Sequence, residues 1–166
     1  LMRGGYLGPV FPNDDIIRYL KEVGAQFEIL DEEDLVRKCV EILKEGKALG
    51  WFQGKMEFGP RALGARSILG DPRLPQMQSV LNKKVKFRES FRPFAPSILS
   101  EDVTEWFDID NDSPYMMFVA NVAKKFQKEM TDEQKKLFGI KKLNLSRSNI
   151  PAVTHVDYSA RIHTVH

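Results

Sequence analysis

The sequence predicts an α/β domain, or an α+β one, in which helices and short strands alternate along the whole chain. Two amphipathic stretches with capping residues fill the chain up to Gly46, and short apolar runs of strand character begin at Ala48. Those runs open into loops rich in glycine, proline and charge. The 166 residues, 42% hydrophobic and 29% charged, suit one globular core, so residues 1–166 are read as a single domain.

The first helix is expected after the loop LGPVFPN, with Asn13 as its cap, Asp14 and Asp15 on its first turn and Gly24 as its stop. Ile16, Ile17, Leu20 and Val23 give it one apolar face to bury. Asp31 caps a second helix, with Asp34 at the capping-box position and Gly46 at the end. Its stripe runs Leu35, Val36, Cys39, Val40, Ile42, Leu43, which makes Cys39 a small buried hydrophobe rather than a reactive thiol. Strands follow over Ala48–Phe52 and Arg66–Gly70, then a helix through Met77, Val80 and Leu81. Pro93–Leu99 is extended, its prolines placing it at an edge or a strand start. Met116–Ala120, Ala152–Val156 and Ala160–Val165 read as strands, and Thr131 caps a short helix ending at Gly139.

Charge is uneven. Lys55–Arg92 holds nine Lys/Arg against three Asp/Glu, a balance of +6, so the remaining residues sum to −4 of the overall +2. A local anion site fits this better than a broad nucleic-acid surface, which makes a whole domain basic. In KMEFGPRALGARSILGDPR, Gly54, Gly59, Gly64 and Gly70 are interleaved with Arg61, Arg66 and Arg73. Glycine lets a backbone approach a ligand, and guanidinium forks match phosphate or carboxylate oxygens in pairs. Pro60 is expected to open a helical turn whose N–H groups face an anion. A solvated Gly/Pro-rich turn remains the simpler alternative, because the spacing matches neither GxxxxGK[ST] nor GxGxxG.

In KKVKFRESFRPF, inward-facing Val85, Phe87 and Phe91 would put Lys86 and Arg88 on one side of an extended strand. Two adjacent cations call for an anion between them. The phenylalanines interleaved with cations also suit a single-strand nucleic-acid platform, but three such rings are more often core. Asp108–Asp112 resembles the start of a calcium loop, yet Ser113 stands where the turn glycine belongs and Val119 where the last glutamate belongs, which leaves a solvated acidic loop. His155, His163 and His166 do not make a zinc pattern, and Ser146-Arg147-Ser148 lacks a nucleophile elbow. Cys39 is the single cysteine, and the opening LMRGGYLGP is not a signal peptide. A cytoplasmic protein without a membrane span is expected.

The blocks GWFQGKMEFGPRALGARSILGDPR, NKKVKFRESFRPFAPSIL and IPAVTHVDYSARIHTV, in this order, closely resemble the C-terminal domain of the O-carbamoyltransferase family, which includes the nodulation protein NodU and antibiotic carbamoyltransferases. The opening LGPVFPNDDI resembles that domain's entry. The resemblance implies a YrdC-like fold, a twisted mixed sheet with flanking helices and a basic concave face. The reaction it implies combines carbamoyl phosphate with ATP, helped by magnesium, to give carbamoyl-adenylate and pyrophosphate. A separate N-terminal metal-binding domain of the same chain would then pass the carbamoyl group to a substrate hydroxyl.

YrdC-like sites use a Lys-x-Arg pair, matched here by Lys86-Phe87-Arg88, and a later Ser-x-Asn, which this chain lacks. The expectation is therefore a partial domain, lacking its last strands and inactive alone. Lys86 and Arg88 are assigned as catalytic, with Gly59, Arg61, Arg66 and Arg92 as ligand-binding. Magnesium ligands are not assigned, although Glu57 and Asp71 are the nearby acids. Glu89 is expected to orient Arg88 or Arg92 through an ion pair. The alternative function is a non-catalytic nucleotide- or RNA-binding module using the Lys55–Arg92 face.

Overall fold

The computed structural model describes residues 4–143 and 145–166. The chain forms two compact units, Leu1–Leu69 and Gly70–His166. Helices and short strands intermix in both, as the sequence predicts, and the described strands pair two by two.

In the first unit, α1 spans Asn13–Glu22 and Pro12, not Asn13, holds the cap position, with no side-chain cap. The fixed φ of proline suits a helix entry, and the Pro12 carbonyl accepts the Ile16 N–H at 3.1 Å. Helix α2 spans Glu32–Lys44, and Asp31 caps it as predicted by accepting the Asp34 N–H at 2.8 Å. Strands β1 (Leu49–Phe52) and β2 (Arg66–Leu69) pair antiparallel, with Leu49 opposite Leu69 and Phe52 opposite Arg66. The apolar stripes do not form the buried faces expected of them. Neither helix has a fully buried residue, and Val36 and Val40 are about half exposed. A two-stranded ribbon is too narrow to cover two helices.

The second unit opens with Gly70, where a Cβ would come within 2.7 Å of the Met77 sulfur, so only glycine admits α3 (Met77–Val80) this closely. A π-helical turn, Leu81–Val85, continues α3. Strand β3 (Ser97–Leu99) is followed by α4 (Val103–Trp106) in the acidic stretch, then by β4 (Val119–Asn121). Two further one-turn helices, α5 (Asp132–Lys135) and α6 (Ile140–Leu143), precede β5 (Ser159–Arg161) and β6 (His163–Val165). Strands β3 and β6 pair parallel, and β4 and β5 pair antiparallel. Val103, Phe107, Val122, Ile150, Val153 and Ile162 form the core, and Phe94 packs against both this cluster and a smaller one of Met77, Leu81 and Ala152.

Three further expectations change in the second unit. The strand predicted from Met116 starts only at Val119, because Met116 has φ +57°. Residues 152–156 are turn, not strand. There the Thr154 hydroxyl donates to the Ile150 carbonyl at 2.8 Å, and Ser148 Oγ accepts the Ile150 N–H at 3.0 Å, so hydroxyls take the place of a ladder. The helix capped by Thr131 stops at Lys135, although its capping box forms.

Candidate functional site

The Gly/Arg-rich loop belongs to the first unit and is organised by Glu57. One carboxylate oxygen, Oε1, accepts the backbone N–H groups of Leu63 at 2.7 Å, Ala65 at 2.7 Å and Arg66 at 3.2 Å. Burial pushes the Glu57 carboxyl up, but these donors outweigh it and hold its pKa below the ordinary Glu value. The expected helical turn after Pro60 does not form, and the N–H groups predicted to face an anion point at this internal carboxylate instead. Arg66 is bound within the same loop. Its Nη1 donates to the carbonyls of Gln53 at 2.9 Å and Ala65 at 2.7 Å, and its Nη2 to that of Gly54 at 3.2 Å. The guanidinium lies 3.4 Å from the Phe52 ring centre. Gly59, at φ +137°, is exposed with open space where a Cβ would stand, and Arg61 is half-buried.

The second cationic block lies in the second unit and is not a strand. Lys86 ends the π-helical turn at φ −93°, ψ −12°, and Phe87 follows at φ +49° with its ring 85% exposed. The alternation that placed Lys86 and Arg88 side by side therefore fails. A π turn advances by a wider step than the period of two assumed for a strand. Phe91 is also half exposed, so of the three phenylalanines only Phe94 joins the core.

Arg88 and Arg92 do come together, on the wall of a groove of about 490 Å³. Arg161, His155, Asp157 and Ser159 share its lining, whereas Lys86 is not among the lining residues. Arg88 Nε donates to Asn82 Oδ1 at 2.5 Å, and its guanidinium lies 5.0 Å from the Phe94 ring centre. Arg92 Nε pairs with Glu89 at 2.8 Å, the orienting ion pair expected of Glu89. Asp157 accepts the Ser159 hydroxyl at 2.6 Å and its N–H at 3.0 Å, and the hydroxyl is the leading cause that keeps this carboxylate ionised below its usual range. His155 Nδ1 stands 3.5 Å from the same oxygen. The groove is therefore lined by three arginines and one oriented carboxylate. That set suits a ligand carrying several oxyanion groups and a cation.

Sequence reasoning did not assign Asn82, His155, Asp157 or Arg161. The last three lie in the THVDYSAR block, so the block's likeness was visible but its meeting with Arg88 and Arg92 requires the fold. Asp71 is spoken for: Arg73 grips both its oxygens at 2.6–3.1 Å, and those hydrogen bonds lower its pKa. No group of three or more His, Cys, Asp or Glu able to hold a metal occurs among the described residues, and no described helix is long and apolar enough to cross a membrane.

Residues 40–166 match the family described as carbamoyltransferase C-terminus. The chain belongs to this family. Nodulation protein NolNO of Sinorhizobium fredii is 38% identical over 164 residues, which cover 96% of this chain and 21% of the relative. A protein of Synechocystis called uncharacterized protein sll1178 is 58% identical over 167 residues, or 99% of this chain and 27% of its own. The 3'-hydroxymethylcephem-O-carbamoyltransferase of Amycolatopsis lactamdurans is 36% identical over 123 residues, 74% of this chain and 19% of the relative. The chain thus spans about a quarter of the length of the first two of these relatives.

Proposed function

We propose that this chain is the adenylate-forming part of an O-carbamoyltransferase, and that the arginine-lined groove holds carbamoyl phosphate and the triphosphate of ATP. The observation that carries the reading is the convergence of Arg88, Arg92 and Arg161 on one cavity. Two polyanionic substrates repel each other, and catalysis between them rests on neutralising and aligning their phosphates. In this reading, water releases inorganic phosphate from carbamoyl phosphate and leaves carbamate. A carbamate oxygen then attacks the α-phosphorus of ATP, the α–β bridging P–O bond breaks, and pyrophosphate departs with its electron pair.

Arg88 and Arg92 would bind phosphate oxygens, and Arg161 would take the charge that grows on the leaving pyrophosphate. Magnesium would enter on the triphosphate and supply further charge neutralisation. An ion that keeps most of its waters needs few protein ligands, and Asp157 is the groove's carboxylate for it. Transfer of the carbamoyl group to a hydroxyl would fall to a metal-binding N-terminal domain of the same polypeptide, so these 166 residues alone would form no carbamoylated product.

Carbamoyl-phosphate-dependent exchange of pyrophosphate into ATP, measured on the full-length protein, tests the reading. Arg88→Ala or Arg161→Ala should lower exchange by roughly 100-fold or more, the loss typical of a donor to transition-state charge. Exchange at the wild-type rate in both variants, or binding of RNA with a steep salt dependence and none of ATP, would overturn it.

A further inference from the structure

We propose that Asn82 is a positioning residue that aims Arg88 and Arg92 into the groove, and that the π-helical turn Leu81–Val85 is what places it there; the inference rests on the groove reading above. Asn82 is fully buried, at 0% exposure, and a buried amide is tolerated only when its hydrogen bonds are made. Here they are made entirely to the arginine loop. Its Nδ2 donates to the carbonyls of Ser90 at 3.2 Å and Arg92 at 2.8 Å, and its Oδ1 accepts from Arg88 Nε at 2.5 Å. Its backbone carbonyl also accepts the Arg88 N–H at 3.0 Å. One side chain therefore fixes the guanidinium of one arginine and the backbone of the other.

The turn explains how a polar group reaches this spot. Leu81 belongs to the apolar cluster with Met77, while the next residue, Asn82, faces the loop. The Lys86 N–H reaches back to the Leu81 carbonyl at 2.9 Å, a five-residue step that an α-helix does not make. Single π turns of this kind recur at functional sites because they re-aim one side chain without breaking the helix. One turn earlier, Gln78 Nε2 donates to the carbonyls of Phe91 at 3.0 Å and Arg92 at 3.2 Å, so two amides hold the same stretch of loop.

The chemistry of the anchor matters as much as its place. With Nε taken by Asn82, the Arg88 Nη1 and Nη2 groups make no hydrogen bond among the described residues, which leaves them to a ligand. Glu89 already acts on both arginines, and an amide anchor adds no further negative charge, whereas a carboxylate at the same position would compete with the anion for the guanidinium. A pre-aimed arginine also loses less side-chain freedom when the ligand arrives.

The test is a double-mutant cycle on the full-length protein, with Asn82→Ala, Arg88→Ala and the double variant, read by the KM for carbamoyl phosphate in pyrophosphate exchange and by thermal midpoint. Asn82→Ala should raise KM about tenfold in the wild-type background and no more than about threefold in the Arg88→Ala background, since residues acting through one another are not additive. The thermal midpoints show whether each variant still folds; they also lose the direct Asn82–Arg88 hydrogen bond, so they do not enter the KM comparison. Asn82→Asp keeps the acceptor oxygen and adds a charge. It should also raise KM, by more at pH 8 than at pH 5, and it carries the same cycle should Asn82→Ala fail to fold. Multiplicative losses in KM, or wild-type KM in Asn82→Asp, overturn this inference while leaving the groove intact. Unimpaired exchange in Arg88→Ala overturns this inference, and unimpaired exchange in Arg161→Ala as well overturns the groove reading.

Discussion

Replacing Glu57 by alanine removes the acceptor at the centre of the loop between β1 and β2. Three backbone N–H groups meet Oε1, two of them at 2.7 Å. A hydrogen bond to a charged group contributes about 1.5–3 kcal/mol net when well buried, which sets an upper bound of roughly 4.5–9 kcal/mol for three. Glu57 is only half-buried, so water recovers much of this once the carboxylate is gone, and the expected loss is about 2–3 kcal/mol.

Amide hydrogen exchange reads this locally: the Leu63, Ala65 and Arg66 amides should lose about 30- to 150-fold in protection, at 1.4 kcal/mol per decade. Glu57→Gln keeps a neutral acceptor and should lose about half as much. The pH dependence has a definite sign. The folded carboxyl titrates below the ordinary value, so its stabilisation is complete above about pH 4.3, the unfolded Glu value, and disappears as pH falls through the lower folded value. Wild type and Glu57→Gln should therefore converge in acid. Amides that exchange at wild-type rates in Glu57→Ala, or a gap between wild type and Glu57→Gln that does not narrow as pH falls below about 4.3, would refute the reasoning.

Two further substitutions probe the chain away from the groove's own contacts. Phe87→Gly should raise stability by about 0.5–1 kcal/mol in denaturant unfolding, since φ +49° strains any side chain and a ring 85% exposed contributes little burial; a loss of stability would mean that the ring packs against a surface. Asp31→Ala should cost about 1 kcal/mol and fray the first turn of α2 by exchange, because the Asp34 N–H loses its 2.8 Å partner; unchanged protection there would remove the cap's importance.

What the sequence made legible follows the range of the forces involved. The Asp31 cap, the stops at Gly24 and Gly46, and the strand on either side of the Gly/Arg loop depend on residues a few positions apart, and each appears where its local chemistry puts it. Class and family were legible too, the latter through long uncommon blocks. The misreadings lie where a distant partner decides. Ala152–Val156 has strand composition, but the Ser148 and Thr154 hydroxyls hold it as a turn. Lys86–Arg88 alternates like a strand, yet the backbone leading into it closes a π turn, whose Asn82 bonds the Arg92 carbonyl ten residues on. The Asp157 side of the groove meets Arg88 only after β4 and β5 pair around the core.

The two cationic blocks share a construction that composition alone conceals. In each, one inconspicuous polar residue, Glu57 in the first and Asn82 in the second, binds the backbone of the arginine-bearing loop through several hydrogen bonds. The difference between the two anchors sets what each loop can offer. A carboxylate consumes backbone donors and lowers the local potential, which suits a loop held in shape, as does an Arg66 committed to backbone carbonyls. A neutral amide adds no negative charge beside the guanidinium it orients, which suits a loop that must meet an anion. Under the function proposed above, the identity of the anchor, more than the number of arginines around it, is what would suit the Arg88–Arg92 loop to an oxyanion.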